Sequence, residues 1–462
     1  MNRRMNCHHL LLLPLLCLIG CGGKKQCSRV KALTHTTRTK KDTANKLSTA
    51  GLSIIGRRLF EAACHDNAGI IKALVAEDVV DLNVCNRAGE TALHQAAICG
   101  NANAVAILLE TGANPNIARR SNGKTALHYA VEYSHADDTC IVQLLLSAGA
   151  NPNGTQAGEM TPLHIAVARE HIPAARLLLA HGADPNRTST QAAPNLNREL
   201  HAHYYFTSIL EHTNTKPKKM DLASLTPLHL ATLLKPSENA TTLVATLVEA
   251  NAKTDTSIGK PFNLTPIHLA ACMGNTSCIK ILCAPATNVN VSATAGVTPL
   301  HIAAAYGHTA TTQAILANGA DVNAADCIKQ TTPLMLAAES MQALIHAGAK
   351  QPYEIPRKHD DKSTHLAQME QTVQALLEWP QTNLFARNSR NHTAYDVAKE
   401  TVERIDEEIQ AQQYSRMANP NSLGGLLATI SEDKLRSNRR RARHTLDIIK
   451  MAMRQRSATA VA

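Results

Sequence analysis

The chain has 462 residues, is 44% hydrophobic and only 3% aromatic, and carries a formal net charge of +10. No apolar run reaches the ~20 residues that a bilayer-spanning helix needs, so a helical membrane span is not expected. The positive charge sits at the two ends: residues 22–50 carry net +7 and residues 431–462 net +6, while residues 51–430 sum to −5. The sequence pI near 9.0 therefore belongs to the ends, and nucleic acid is not an expected partner of the body.

Residues 1–20 have the layout of a targeting segment. Arg3 and Arg4 form a positive start, and Leu10 to Ile19 an apolar stretch too short to cross a membrane. It closes on Leu18-Ile19-Gly20-Cys21, which resembles the lipobox of bacterial lipoproteins. The resemblance implies cleavage before Cys21, diacylglycerol on its sulfur, acylation of the new N-terminus, and hence attachment to a membrane through this lipid. In that family an acidic residue after the cysteine retains enteric lipoproteins in the inner membrane, so Gly22 points to the outer one. An ordinary cleaved signal peptide with a stray Cys21 is the plain alternative. Residues 21–50 form a Thr-rich, basic linker, expected to be disordered and either drawn to anionic headgroups or simply a solvated spacer.

Residues 57–83 (RRLFEAACHDNAGIIKALVAEDVVDLN) lack a Thr-Pro start and expose Arg57, Arg58 and Glu61, as the end of a stacked array should. A tetrad then recurs: TALH at Thr91 and Thr125, TPLH at Thr161, Thr226 and Thr298, TPIH at Thr265, a decayed TPLM at Thr332 and TAYD at Thr393. The clearest copy is residues 298–323, TPLHIAAAYGHTATTQAILANGADVN. Thr298 caps a helix, Pro299 occupies the first helical position where its missing N–H is harmless, Gly307 stops the helix, and a second helix runs through Ile315 and Leu316. Helices this short are marginal alone, so the unit needs a neighbour of its own shape. A period of 33–34 residues with this tetrad resembles the ankyrin-repeat family over about residues 54–398. The resemblance implies an all-α solenoid of helix-turn-helix units with hairpin loops, filling residues 51–348. It also implies partners that are proteins, bound at hairpin tips and at the exposed end of each first helix.

Two insertions interrupt the register. The step from Thr161 to Thr226 leaves room for one at residues 187–223. There LNRELHAHYYFTSILEH reads as an amphipathic helix in which Tyr204, Tyr205 and Phe206 either form a binding cluster or pack back on the array. From Thr332 to Gly348 the unit reads as truncated, and residues 349–414 read as irregular repeats and a C-terminal cap. Within them, residues 349–362 form a charged irregular stretch, residues 364–377 resemble another helix pair ending at Trp379-Pro380, and residues 399–414 form a charged capping helix. Residues 415–462 are expected as a basic tail holding a final helix over 432–453.

The histidines His94, His128, His164, His229, His268 and His301 recur once per repeat, which assigns them to structure. His201, His203 and the His359-Asp360-Asp361 run lack a full metal-ligand spacing. No Walker loop, dinucleotide fingerprint, zincin helix or nucleophile elbow occurs, so neither a cofactor nor catalysis is expected. Past Cys21, nine cysteines remain: Cys27, Cys64, Cys85, Cys99, Cys140, Cys272, Cys278, Cys283 and Cys327. An odd number without a framework sits awkwardly with an oxidising compartment. Carried over by register from the tetrads, the partner-binding positions are Arg87, Glu90, Lys124, Glu132, Tyr133, Arg169, Phe262, Met273, Tyr306 and Lys329. The expectation is a monomeric, membrane-anchored, non-catalytic scaffold. Its rivals are a secreted effector acting on host proteins, a reduced cytoplasmic protein, and an enzyme with its site in the insertions.

Overall fold

In the computed structural model the described residues are 54–76, 81–134, 138–154, 160–189, 225–258, 262–283, 287–346, 362–418 and 423–461. They fall in two compact units, Met1–Ser189 and Thr190–Ala462. Cys21, Cys27, the basic linker, His201, His203, Tyr204, Tyr205, Phe206 and residues 359–361 lie outside the described residues.

The described residues of the first unit form four helix pairs: α1 (Ile54–Cys64) with α2 (Ala68–Ala76), α3 (Ala92–Cys99) with α4 (Ala102–Glu110), α5 (Ala126–Tyr133) with α6 (Cys140–Ser147), and α7 (Pro162–Ala168) with α8 (Ile172–Ala180). First helices stack on first helices and second on second. The core is slim, and Leu93, Leu108, Leu127, Leu145, Leu163 and Leu178 fill it between alanines.

The second unit repeats the plan five times: α9 (Pro227–Leu233) with α10 (Glu238–Glu249), α11 (Pro266–Cys272) with α12 (Thr276–Leu282), α13 (Pro299–Ala305) with α14 (Thr309–Ala317), α15 (Pro333–His346) with α16 (Lys362–Glu378), and α17 (Ala394–Ala418) with α18 (Leu423–Val461).

The tetrad works as its chemistry requires. At Thr91, Thr125, Thr161, Thr226, Thr265 and Thr298 the threonine and the histidine three residues on form a reciprocal capping box. All six histidines are buried. In each box Nδ1 accepts from the threonine N–H, at 3.0–3.3 Å. In four of them Nε2 reaches a backbone oxygen of the next hairpin: Lys124 (3.2 Å) from His94, Thr256 (2.9 Å) from His229, Val297 (3.1 Å) from His268 and Thr331 (3.0 Å) from His301. The terminal copy uses Asp396 in the histidine's place, its carboxylate accepting from both Thr393 N–H and Thr393 Oγ1 at 2.8 Å.

A second set of rungs runs along the loops that follow the second helices. The backbone N–H of Asn114, Asn151 and Asp184 donates to the side-chain oxygen of Asn83, Asn116 and Asn153 at 2.7–2.9 Å, and Asp321 N–H donates likewise to Asn290 (2.7 Å). The next rung joins Asn383 N–H to Asn323 Oδ1 at 2.6 Å across 60 residues.

That rung revises the reading of the C-terminal third. The Thr332 unit is not short, and residues 364–377 are not a helix pair. They belong to α16, the second helix of the Thr332 repeat, separated from its partner α15 by extra chain. The expected basic tail is likewise part of the array: α18 packs along α17 and α16 as the second helix of the last repeat. Met341, Leu366, Met369, Val402, Ile405 and Ala442 form one buried cluster between these helices, with Ile409 and Leu446 against it. Arg456 donates to the carbonyl oxygens of Leu377 (2.8 Å), Trp379 (2.8 Å) and Thr382, closing the C-terminal end of α16.

Candidate protein-interaction face

In the first unit, five of the positions assigned by register gather around a residue that was not assigned, Tyr129. Its side chain is buried one position after the box histidine His128. The His94 ring meets it edge-on at 5.9 Å, Tyr133 stacks on it at 6.2 Å with planes 9° apart, and the Lys124 ammonium lies 5.6 Å from its centre. Its hydroxyl accepts from Arg119 Nη1 (3.0 Å) and Asn122 Nδ2 (3.4 Å). Arg119 in turn faces Glu90 at 3.2 Å, and Lys124 faces Glu132 at 2.6 Å. Charges at hairpin tips and helix ends of neighbouring repeats are thus paired and fixed over an aromatic floor.

Tyr133 is half-buried, and its hydroxyl is pushed up to about 12, first by burial and then by the Glu132 and Tyr129 charges, with Arg169 and Arg119 opposing. Arg169, the exposed C-cap of α7, therefore acts on the same spot from the next repeat. Arg87 is exposed in the hairpin that Asn86 closes through Ala88 N–H and Glu90 N–H, both at 2.9 Å.

In the second unit the assigned positions separate. Phe262 is only 6% exposed, so it is a core residue and not a surface one. The bridge between Ile258 and Leu264 folds its hairpin inward, and its carbonyl accepts from Thr294 N–H at 2.9 Å. Tyr306 is also buried, at 9% exposure. Its ring stacks on His308 at 6.0 Å. Met273 is half-buried as the C-cap of α11. Lys329 is half-buried in the hairpin closed by Asp326, its N–H donating to Asp326 Oδ1 at 2.6 Å and its carbonyl accepting from Ser389 N–H at 2.7 Å.

The signal for Tyr129 was present in the sequence. The residue after the box histidine is Gln95, Ile165, Leu230, Leu269 or Ile302 elsewhere and aromatic only here. Arg119 had a weaker signal, the longer hairpin between Asn116 and Thr125. Among the described residues, no group of three or more His, Cys, Asp or Glu side chains is arranged to hold a metal ion. No described helix is long and apolar enough to cross a membrane.

Comparison with known proteins places the array. The family described as ankyrin repeats (3 copies) matches residues 59–156, 118–189, 228–326 and 287–351, together more than half of the chain. The chain belongs to the ankyrin-repeat family. It is 36% identical over 152 residues to the mouse B-cell lymphoma 3 protein homolog, a match covering 31% of this chain and 33% of that one. Mouse Rabankyrin-5 is 27% identical over 218 residues, covering 44% of this chain and 18% of that protein. The match to the first of these spans about a third of the relative's length. The solved human ASB11 ankyrin repeat domain shares 25% identity, covering 56% of this chain and 96% of that domain, with a TM-score of 0.40. Ankyrin repeats imply a role in protein–protein interaction, and that coarse role extends to this chain.

Proposed function

We propose that this ankyrin-repeat chain is a non-catalytic binding scaffold held at a bacterial membrane by lipid on Cys21. The observation that supports binding is the Tyr129–Tyr133 stack, flanked by Glu90, Lys124, Glu132 and Arg169, with Arg87 exposed in the Asn86 hairpin. It joins pre-set tyrosine area to the Arg169 guanidinium of the next repeat, residue types enriched at protein interfaces. The partner is a protein that presents an acidic or hydrogen-bonding group to Arg169 beside an apolar side chain for Tyr133. Met273 and Lys329 would contribute only at the margin, and the Tyr204-Tyr205-Phe206 cluster is a second contact candidate. The anchor rests on Leu18-Ile19-Gly20-Cys21 behind a short apolar run. With Gly22 next in line, the outer membrane is the favoured leaflet system.

Two measurements test the two halves separately. Intact mass of the N-terminal peptide from membrane-fraction protein should give a chain beginning at Cys21 with acyl mass; a chain that retains Met1 removes the anchor. For binding, the paired change Tyr133→Ala with Arg169→Glu should weaken capture of the partner at least ~10-fold while leaving the helical signal intact. Unchanged capture would move the interface elsewhere. A second reading, action in a reducing compartment or as a secreted effector, draws on the eight cysteines outside any disulfide among the described residues.

A further inference from the structure

The cysteines are not alike. Cys272 and Cys278 are buried among apolar groups, which pushes their thiols up to about 12 and about 11 and keeps them protonated. Cys283 is pushed to about 11 in the same way. Cys140 and Cys327 are exposed on the surface. Cys64 and Cys99 differ from both groups.

Cys64 ends α1 and Cys99 ends α3, and these two first helices lie side by side in the first unit. Repeat geometry brings their last residues level, 35 residues apart in the chain, with the sulfurs 3.5 Å from each other. Both side chains are half-buried, so small molecules reach them. The Gln95 amide nitrogen stands 3.4 Å from Cys99 Sγ and 3.9 Å from Cys64 Sγ. A donor aimed at both sulfurs favours a thiolate on either one, and the thiolate is the attacking species in disulfide exchange. Closing the pair needs the sulfurs to approach by about 1.5 Å, within reach of side-chain rotation.

We propose that Cys64 and Cys99 form an intramolecular disulfide that fastens the N-terminal capping repeat to the repeat behind it. With a low-molecular-weight disulfide as oxidant, the thiolate of one cysteine attacks it, giving a mixed disulfide and releasing one thiol. The second cysteine then attacks the protein sulfur of that mixed disulfide, giving the Cys64–Cys99 bond and releasing a second thiol. The protein's two sulfurs are oxidised by two electrons, and the oxidant is reduced to two thiols that carry away the protons. The inference is independent of the anchor: it concerns which pair closes when an oxidant is present.

Among the described residues the α1–α2 repeat has one neighbouring repeat, and a repeat so placed opens first. A bond between α1 and α3 turns that opening into motion within a closed loop, which restricts the opened chain. Function would follow, because α3 carries His94, which packs against Tyr129 at the binding face.

The test uses the full chain, reduced, desalted and exposed to oxidised glutathione, then alkylated and mapped without reduction. The expected result is one linked species joining the peptides of Cys64 and Cys99, two hydrogens lighter than their sum. Cys272 and Cys278 should be recovered alkylated only after denaturation. In hydrogen exchange, the amides of α1 should be protected at least ~10-fold more in the oxidised form. Cys64→Ser and Cys99→Ser should each abolish the linked species and leave glutathione on the remaining cysteine, and both conserve side-chain size. Recovery of Cys64 and Cys99 as two alkylated or two glutathionylated residues would overturn the proposal. So would linkage of either to Cys85 or Cys140, or an equal yield of the pair from protein oxidised in denaturant.

Discussion

His301 Nε2 lies 3.0 Å from the carbonyl oxygen of Thr331, while Nδ1 of the same ring accepts from Thr298 N–H at 3.2 Å. One neutral imidazole with its proton on Nε2 therefore closes its own helix and holds the next hairpin. Replacing it by alanine keeps the Thr298 hydroxyl as helix cap but leaves the buried Thr298 N–H without its acceptor and the Thr331 carbonyl without its donor. We expect His301→Ala to cost about 2–4 kcal/mol in urea unfolding.

The same burial sets a pH dependence. Desolvation is the leading cause that lowers His94, His128, His268 and His301, His128 to about 3 and His268 to about 4. Their folded values lie below the unfolded value near 6.5, so the unfolded chain binds protons that the folded chain refuses. The associated stability is full above about pH 6.5 and is lost as pH falls toward 4. Each such histidine contributes at most about 1.4 kcal/mol per pH unit in that window. Unfolding midpoints measured between pH 7 and pH 4.5 should fall steadily, and a flat profile would count against neutral, buried boxes.

Gly307 and Gly319 share a left-handed backbone but not their surroundings. Gly307 has φ +68°, and a Cβ there would sit 2.5 Å from Met369 Sδ; Gly319 has φ +86° with open space around it. Gly319→Ala should cost about 1 kcal/mol, the conformational term alone. Gly307→Ala should cost about 2–3 kcal/mol, because α16 must also shift. Equal costs in thermal unfolding would argue against the packing of α16 on the Thr298 repeat.

Arg456 ties α18 to three carbonyl oxygens at the end of α16. Arg456→Ala should cost about 2–3 kcal/mol and speed hydrogen exchange in the C-terminal half of α18. Arg456→Lys should recover only part of this, since an ammonium lacks the planar fork. If exchange in α18 stayed unchanged, the helix would be held by its apolar cluster alone.

Much of this fold was readable in the residues. The box is a local device: threonine and histidine three apart determine each other's partners, so six copies declared themselves. The unit at Thr332 was misread because spacing along a chain cannot separate a truncated unit from one split by inserted residues. The rung from Asn323 to Asn383, with the packing of α16 on α15 and α14, settles which helix completes which pair. Phe262 and Tyr306 were placed on the surface because register assigns a position, not a direction. Both turn inward in place: the Ile258–Leu264 bridge closes the hairpin of Phe262, and Tyr306 stacks on His308 of its own repeat. Tyr129 follows the box histidine at a position that is Gln, Ile or Leu in the other five copies, so register alone assigns it no contact.

The rung joining Asn323 and Asn383 has a practical consequence. Its length in space matches the others although it spans 60 residues of chain and the regular ones 31 to 35. The array counts stacked loops, not amino acids. The connection between His346 and Lys362 is therefore a natural splice point, where a foreign peptide of similar size or larger could be carried as cargo without disturbing the repeats on either side.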